Sequence, residues 1–586
     1  MAPGWAYALP TEGEIVSGSG SIEIELTAPQ DLTIQQDSQL LITNWQDFSI
    51  GSEESVTFNQ PNTSAVALNR VIGTDPSLIL GNLSADGQVF LVNPSGVLFG
   101  KDAMVDVHGL LATTLSISNE DFLNGNYQFN QDPDRSLAAV INNGTLNATR
   151  YIGLAAPAVE NNGSLIVADL GSVALASGTA ATLDFNGDGL ISFAVTGEVS
   201  GVVTDSEGDV LEDRIHNSGH IRANGGQVLL TARSAGDVIG NVVNHSGLIE
   251  ARTVEGKDGK IILSGSPSGV VNVNGVLHAS NVVVTTGDVE TRGGDRRSGN
   301  IEWNADLDYV GTGTLDLTLS AHNDIVFNAS IFTSEPPQGD RLNLNLTADS
   351  DRNGAGRVEV EEGALLFTNN GDINIMAHDL DLEGDLNSGT SDVLFTLSDG
   401  GNLILTEGDP NGKNIGGDDL QHITAENLVL TTDGNINVKG ITEENTAGIG
   451  DSVILISGHD INFEDAPSTF PALQLSAVND INVNTDITTT KGDFIAVADS
   501  DDNTIGDFNV APGVVITSAR DIDVTAPNIN ADDDSFNETR NLILNGNVVG
   551  DEPEPEPSPV LDADSIQQGS LGTFLTDFLK NGGPSC

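Results

Sequence analysis

The chain has 586 residues, and 85 Asp and Glu against 22 Lys and Arg give a formal net charge of −63. Nucleic acid is therefore not expected as a partner, because phosphate binding requires a basic surface. The same sign of charge disfavours contact with an anionic membrane. Only 4% of the residues are aromatic whereas 66 are Gly, so we expect an elongated protein with a thin core rather than a compact globule.

The two ends of the chain carry the first local signals. Ala6-Tyr7-Ala8 has the Ala-x-Ala form of a signal-peptide cleavage site. We interpret residues 1–8 as a signal-peptide remnant, with a chance match as the alternative. The single cysteine, Cys586, excludes an intramolecular disulfide and a Cys-based zinc site. Its own role stays open between a free thiol, an intermolecular link and an anchor.

A short phrase recurs along the chain from about residue 140. An Asn-Gly or Asn-x-Gly turn precedes an alternating strand, and further on the phrase becomes Asp-Ile-Asn-like. Period-2 alternation places Ile, Val and Leu on one face and polar residues on the other. Such strands bury their apolar face by stacking, so repeats of about 20 to 25 residues predict an all-β parallel β-helix of about 22 to 25 coils. Examples are Asn142-Asn143-Gly144, Asn161-Asn162-Gly163, Asp460-Ile461-Asn462 and Asp480-Ile481-Asn482.

A β-sandwich or a string of Ig-like domains is the structural alternative. It predicts antiparallel hairpins and usually a buried Trp in each domain of about 100 residues. The chain contains only three Trp. The sandwich is therefore disfavoured.

The alternation weakens at three places. Residues 119–136 hold Phe122, Tyr127 and Phe129 and predict an excursion from the β-helix. Residues 286–299 form a charged, Gly-rich connector, and residues 551–559 form an acidic Pro-rich linker. Apolar residues at helical spacing then predict one short amphipathic helix near the end. These are Leu571, Phe574, Leu575, Phe578 and Leu579.

One segment resembles the first half of a calcium loop of the EF-hand type. Asp184, Asn186 and Asp188 stand at the spacing of oxygen ligands, with Gly189 in the sixth position. The twelfth position, where a bidentate Glu belongs, is Val195. We therefore favour a Gly- and Asn-rich β-turn and keep Ca²⁺ as the alternative. No other cofactor is expected.

Four segments between residues 44 and 114 carry a family resemblance in their order and spacing. With the repeats that follow them, they resemble the secretion domain of two-partner-secretion exoproteins over roughly residues 12–280. This is the filamentous-haemagglutinin N-terminal domain family, and the high-molecular-weight adhesin branch is the nearest in style. The segments are Asn44-Trp45-Gln46-Asp47-Phe48, Ala67-Leu68-Asn69-Arg70-Val71, Val92-Asn93-Pro94-Ser95-Gly96 and Asp106-Val107-His108-Gly109-Leu110.

The resemblance implies a fold and an export route. It implies a right-handed parallel β-helix with an N-terminal cap from residues 17–24, Sec export, and a cognate outer-membrane β-barrel transporter of the TpsB type. The family's Asn-Pro-Asn-Gly signature falls on residues 93–96, where Ser95 replaces the second Asn. The Asn-Pro-Asn-Leu motif has no clear copy. The implied secretion or transporter-recognition residues are Asn69, Arg70, Asn93, Pro94, Ser95 and Gly96.

These observations divide the chain into the remnant at 1–8, a secretion domain at 9–285, a β-helical repeat region at 286–550 and a linker with a short helix at 551–586. We predict a secreted, non-enzymatic, monomeric rod at the bacterial cell surface, reached through the periplasm. It would act as an adhesin or haemagglutinin-like fibre on a receptor or glycan of a host or neighbouring cell. The alternatives are a polysaccharide-active β-helix enzyme and the secretion module of a longer protein. The sequence leaves the receptor open.

Overall fold

The computed structural model describes residues 9–24, 30–185, 191–234, 241–254, 256–266, 269–279, 281–286, 299–308, 314–332, 341–407 and 415–549. Residue contacts separate a first unit ending at Val548 from a second beginning at Val549, and the fold below is that of the first. The remnant at 1–8, the linker at 551–559, the predicted helix after it and Cys586 lie outside the described residues.

The secondary structure is almost entirely β. Among the described residues the helices are α1 (Asn119–Leu123) and α2 (Gly417–Gln421). No helix among the described residues is long and apolar enough to cross a membrane. The strands up to residue 285 are β1 (Glu14–Ser17), β2 (Gly20–Ile24), β3 (Asp31–Gln36), β4 (Leu40–Trp45), β5 (Ser55–Asn59), β6 (Val66–Val71), β7 (Ser77–Ile79), β8 (Asn82–Ala85), β9 (Gln88–Val92), β10 (Val97–Phe99), β11 (Met104–Thr113), β12 (Gln128–Asn130), β13 (Ala139–Asn142), β14 (Thr145–Ala156), β15 (Ala158–Asn161), β16 (Ser164–Val167), β17 (Ser172–Ser177), β18 (Ala180–Phe185), β19 (Ile191–Gly197), β20 (Asp213–Asn217), β21 (His220–Arg222), β22 (Gln227–Ala232), β23 (Asn241–His245), β24 (Leu248–Ala251), β25 (Lys260–Ser264), β26 (Val270–Val273), β27 (Val276–Ala279) and β28 (Asn281–Thr285).

The remaining strands are β29 (Ile301–Trp303), β30 (Leu307–Asp308), β31 (Thr314–Ser320), β32 (Ile325–Phe327), β33 (Ile331–Phe332), β34 (Arg341–Thr347), β35 (Arg357–Val360), β36 (Leu365–Phe367), β37 (Ile373–Ala377), β38 (Asp379–Leu382), β39 (Asp385–Asn387), β40 (Val393–Leu397), β41 (Leu403–Thr406), β42 (Ile415–Gly416), β43 (Ile423–Thr432), β44 (Ile436–Lys439), β45 (Ile449–Ser457), β46 (Ile461–Phe463), β47 (Ser468–Phe470), β48 (Leu473–Ala477), β49 (Ile481–Val483), β50 (Ile487–Thr489), β51 (Phe494–Val497), β52 (Phe508–Val510), β53 (Ile516–Ser518), β54 (Ile522–Asn530), β55 (Phe536–Glu538) and β56 (Leu542–Val549).

These strands stack in parallel columns, which confirms the predicted parallel β-helix. One column runs through β4, β6, β9, β11, β14, β17, β22, β25, β28, β31, β34, β37, β40, β43, β45, β48, β51 and β54. A second face is an 11-stranded sheet from β7 to β38. Because β28 pairs with β31, the stack continues past residue 285.

The longest column sets the length of the stack. Among the described residues it holds at least 18 strands. At ~4.8 Å per strand this gives a stack of about 80 Å. The figure of about 22 to 25 coils for the whole chain stays a prediction.

Strand alternation is the physical basis of the stack. In β49, Ile481 and Val483 are fully buried while Asn482 between them faces outward. Ile481 stacks on Ile461, one coil and 20 residues earlier, and Asn482 stacks on the preceding coil's Asn462. Identical residues therefore stack on each other in successive coils, as the recurring Asp-Ile-Asn phrase predicts.

The N-terminal end of the stack is capped by antiparallel strands. Strand β1 pairs with β4 and β2 pairs with β3, both antiparallel. They cover the edge of the first coil, which would otherwise present unpaired backbone groups. The cap expected from residues 17–24 is present.

The excursion predicted at 119–136 is also present. Helix α1 buries Phe122, and β12 joins β18 and β19 in a three-stranded antiparallel sheet outside the stack. Phe122 packs edge-on against Phe90 and Tyr127, with ring centroids 6.0 and 6.1 Å away. This sheet and a second excursion, residues 199–211, cover apolar outer faces of the stack.

Inside the stack, a column of buried amides runs along one corner. The Asn142 side chain donates to Asn161 at 2.8 Å, Asn161 donates to Asn217 at 2.7 Å, and Asn217 donates to His245 Nδ1 at 3.0 Å. All four side chains are fully buried. We call these residues the corner ladder; its polarity is fixed at one end because Asn142 Oδ1 accepts the backbone N–H of Gly144.

Candidate functional site

The signature segment forms one tight turn between β9 and β10. The N–H of Gly96 donates to the carbonyl of Asn93 at 3.1 Å, which closes a four-residue turn. Pro94 occupies the second position, where its fixed φ suits a type I or II turn. Gly96 has φ +119°, a conformation that favours glycine. The residue types of the segment thus follow from the turn.

Asn93 holds the turn from inside. Its side chain is fully buried. Its Oδ1 accepts the N–H of Ser95 at 2.9 Å, while Nδ2 donates to the carbonyl of Asp75 and to Ser77 Oγ, both at 3.0 Å. The amide therefore ties this turn to the preceding coil. Ser95 contributes only its backbone to this network, so the Ser in place of Asn leaves the turn intact.

Asn69 lies one coil earlier, in β6, and is also fully buried. Its Oδ1 accepts the indole N–H of Trp45 at 3.0 Å, and its Nδ2 donates to the carbonyl of Ala67 at 3.3 Å. An indole N–H buried without a partner is costly. Asn69 is thus the group that allows Trp45 to sit in the core of the first coils.

Arg70 links the stack to the first excursion. Its guanidinium donates to the carbonyl of Ile117 and to Asn119 Oδ1, both at 2.8 Å. Partial burial lowers the pKa of Arg70 from its usual value. Because Asn119 begins α1, Arg70 anchors the start of that helix.

The structure brings the predicted secretion residues together. Asn69 and Arg70 stand in register beside Leu91 and Val92, and the turn begins at the next residue, Asn93. All six residues therefore belong to two adjacent coils. The sequence did not reveal that both asparagines are buried, since their partners Trp45, Asp75 and Ser77 are distant in the chain.

One neighbour of the turn was missed entirely. Residues 204–206 of the second excursion lie beside Ser95 and Gly96, and together they line a cavity of about 10 Å³. Thr204 also forms a parallel bridge with Ala138. Nothing local in residues 199–211 indicates that they fold back over this face.

The calcium prediction falls largely outside the described residues. Asp184 is exposed near the end of β18, opposite Ser192 of β19. Asn186 and Asp188 lie outside the described residues, so the loop stays a prediction. In the part of the chain that the structure describes, no group of three or more His, Cys, Asp or Glu side chains is placed to hold a metal.

A known family of domains matches the part of the chain that contains these features. Residues 10–279 match the family model of the TPS secretion domain. This range contains the N-terminal cap, the signature turn, both excursions and the corner ladder. The resemblance to two-partner-secretion exoproteins is confirmed.

The chain is similar to named proteins and to a solved structure. Two heme/hemopexin-binding proteins of Haemophilus influenzae are each 27% identical, over 434 and 423 residues. The matches cover 67% and 69% of this chain but only 46% and 45% of those proteins, so the chain spans less than half of their length. The crystal structure of the HMW1 secretion domain from Haemophilus influenzae is similar with a TM-score of 0.48 and 23% identity, covering 72% of this chain and 100% of that one.

Proposed function

Because residues 10–279 form the TPS secretion domain of a two-partner-secretion exoprotein, we propose that this domain directs export of the chain. The route would run by Sec into the periplasm and then through a cognate outer-membrane β-barrel transporter of the TpsB type. Outside the cell, the β-helix would act as a binding fibre of the adhesin or haemagglutinin-like kind. The observation that carries the proposal is the domain match over residues 10–279.

The chemistry of the chain supports passage in an unfolded state. A narrow barrel admits an extended chain, and a disulfide formed in the oxidising periplasm would block it. The only cysteine is Cys586, so no intramolecular disulfide can form. The parallel register then lets each emerging coil pair with the coil before it, which makes folding outside the cell a stepwise process.

Burial restricts how the signature residues can act. In the folded domain Asn69 and Asn93 are fully buried and their amides are engaged by other parts of the domain. A transporter cannot touch them there. We propose that the transporter engages this segment before it folds, and that the same residues then build the first coils outside.

Export of substituted chains tests this proposal. The chain is produced with its cognate transporter, and the fraction reaching the medium is measured for Asn69→Ala, Asn93→Ala and Pro94→Ala. We expect loss of export. The matched control is Asn62→Ala, an exposed asparagine of the same domain, which should be exported normally. Unaffected export of all three variants would refute the secretion role of the segment.

A second binding function is favoured by the named relatives. Both are called heme/hemopexin-binding proteins, so we propose haem-loaded hemopexin as the alternative ligand to a host-cell receptor or glycan. Two assays separate hemopexin from a host-cell receptor or glycan as the ligand. The first is surface plasmon resonance of the purified chain against hemopexin, with and without haem. The second is adhesion of the purified chain to cultured epithelial cells. Binding in the first assay and none in the second would replace the adhesin proposal.

We propose no catalytic role. The relatives are named for binding, and the chain has few aromatic and basic residues to accompany its carboxylates. Incubation with acidic polysaccharides, with and without Ca²⁺, should release no fragments. Cleavage would establish the enzyme alternative instead.

A further inference from the structure

A cleft lies beside helix α2, in the part of the stack that follows the secretion domain. Its walls are the residue after β41, helix α2, and the segment 442–447 that connects β44 with β45. The volume of the cleft is about 710 Å³, within the range of about 300 to 1000 Å³ that is typical of small-molecule sites. The cleft is therefore large enough for a small organic ligand.

A glycine at the start of α2 brings the three walls together. A β-carbon at Gly417 would lie 2.5 Å from Asn445 Nδ2 and 2.8 Å from the carbonyl oxygen of Glu407. Both distances are shorter than a van der Waals contact, so any larger residue would push the segments apart. The shape of the cleft thus depends on this glycine.

Four carboxylates line the cleft and are exposed to solvent. Within the described residues, none of them forms an ion pair: Lys439, which precedes the 442–447 segment, contacts Glu464 and Asp465 instead, at 3.5 and 3.0 Å. They are also not placed to close together on one metal ion. Unpaired carboxylates spread around a cavity favour an organic cation, whose charged groups can reach several of them. The four are Glu407, Asp418, Glu443 and Glu444.

Asn445 supplies a second and independent feature. Its side chain is only 3% exposed and yet lines the cleft. The Oδ1 atom accepts the backbone N–H and the hydroxyl of Thr442 at 2.8 and 2.9 Å, so the orientation of the amide is fixed. The Nδ2 atom donates to no group among the described residues. A donor in this position calls for an acceptor on whatever occupies the cleft.

We propose that the cleft binds an amino sugar with a protonated amine, of the glucosamine type. The ammonium group would donate to the carboxylates, and a sugar oxygen would accept from Asn445 Nδ2. A polyamine would bring the positive charge without the acceptor, and a neutral sugar would bring the acceptor without the charge. This inference rests on the proposed function, because it names the class of glycan that the fibre would bind.

Isothermal titration calorimetry of the purified full chain at neutral pH tests the site with three probes. The glucosamine disaccharide of chitosan carries both amines and hydroxyls. Putrescine has two amines and no hydroxyl, whereas diacetylchitobiose has the same sugar rings without charge. We expect the glucosamine disaccharide to bind at least roughly tenfold more tightly than either of the others. Equal or tighter binding of putrescine or diacetylchitobiose would overturn the assignment.

Two double variants make the test specific. Glu443→Gln with Glu444→Gln removes two charges from exposed positions of the cleft and should weaken binding of the glucosamine disaccharide at least roughly tenfold. Asp533→Asn with Asp534→Asn removes the same charge from an exposed pair that does not line the cleft, and should keep the full affinity. The same affinity in both double variants would refute the site.

Adhesion of the wild-type chain to cultured epithelial cells separates the failure of this site from the failure of the proposed function. If the chain adheres while the glucosamine disaccharide neither binds nor competes, the site is wrong and the adhesin proposal stands. If the disaccharide binds with the expected preference but the chain does not adhere, the adhesin proposal is wrong and the site stands.

Discussion

The corner ladder makes folding sensitive to acid through a single histidine. His245 closes the ladder: its Nδ1 accepts from Asn217 at 3.0 Å and its Nε2 faces the carbonyl of Val276 at 3.3 Å. The imidazole is therefore neutral, with its proton on Nε2. Protonation of Nδ1 would place its N–H opposite the Nδ2 donor of Asn217. The Asn217 amide cannot rotate by 180° to offer its oxygen unless every amide of the ladder rotates as well, and Asn142 cannot, because its oxygen accepts the N–H of Gly144.

The magnitude follows from the shift of the histidine pKa. Burial lowers the pKa of His245 to about 4, against about 6.5 in an unfolded chain. When folding lowers the pKa of a histidine, the protein keeps its full stability above the pKa of the unfolded chain. It loses stability as the pH falls from that value towards the pKa of the folded protein. Between neutral pH and pH ~5 this loss is about 2 kcal/mol, and it approaches about 3 kcal/mol near pH ~4.

The variant His245→Asn isolates this contribution. An asparagine can accept from Asn217 with its Oδ1 and carries no titratable group, so the ladder is extended by one amide. Urea unfolding followed by circular dichroism at pH ~7 and pH ~5 should show about 2 kcal/mol less loss in the variant than in the wild type. Carboxylates titrate alike in both proteins, so their effect cancels in this comparison.

The result that would refute the reasoning is an identical pH dependence in the two proteins. A smaller loss in the wild type than in the variant would also contradict it. Hydrogen exchange at the backbone N–H groups of β20 and β23 provides a local check, because these strands flank the ladder. Their protection should fall with acid in the wild type only.

Three further perturbations have defined outcomes. Gly109→Ala places a methyl group 2.6 Å from the Tyr151 ring and should lower the free energy of unfolding by about 1 to 3 kcal/mol in a urea titration. Phe122→Ala removes a ring from the aromatic cluster under α1 and should lower the free energy of unfolding by about 3 to 5 kcal/mol. The excursion should then be cleaved earlier in limited proteolysis. Ile481→Asp puts a charge inside β49 and should slow secretion in a pulse-chase experiment, because that coil no longer adds to the stack.

Each of these changes has a matched control. Gly450→Ala comes nearest to the flexible end of Glu426, at 3.3 Å, and meets backbone atoms only at ordinary contact distances of 3.5 and 3.7 Å, so it should be nearly neutral. Leu123→Ala removes a 43% exposed side chain from the same helix as Phe122 and should leave the excursion intact. Thr488→Asp changes the outward face of the coil that contains Ile481, and secretion as slow as that of Ile481→Asp would contradict the templating mechanism.

The sequence predicts the repeating part of the fold well because its signals are local. Ile481 and Asn482 alternate within three residues, and the same phrase recurs 20 residues away at Ile461 and Asn462. The length of the repeat and the buried face of each strand follow from such a pattern without knowledge of distant contacts. The excursion at 119–136 is visible for the same reason, since alternation stops there.

Non-local features were missed. Strand β18 alternates like any coil, yet it pairs antiparallel with β12 and β19 outside the stack, and no local pattern decides between these pairings. The burial of Asn69 depends on Trp45, which is 24 residues away.

The uniform parallel register has a consequence for how such a chain can change over generations. Ile461 and Ile481 occupy equivalent positions in successive coils, so removal of the 20 intervening positions would place the second where the first had been. Contacts within a stack of this kind reach only the adjacent repeats. Gene duplication or deletion in steps of one coil can therefore lengthen or shorten the stack while the distant signature turn, the corner ladder and the cap keep every neighbour they have.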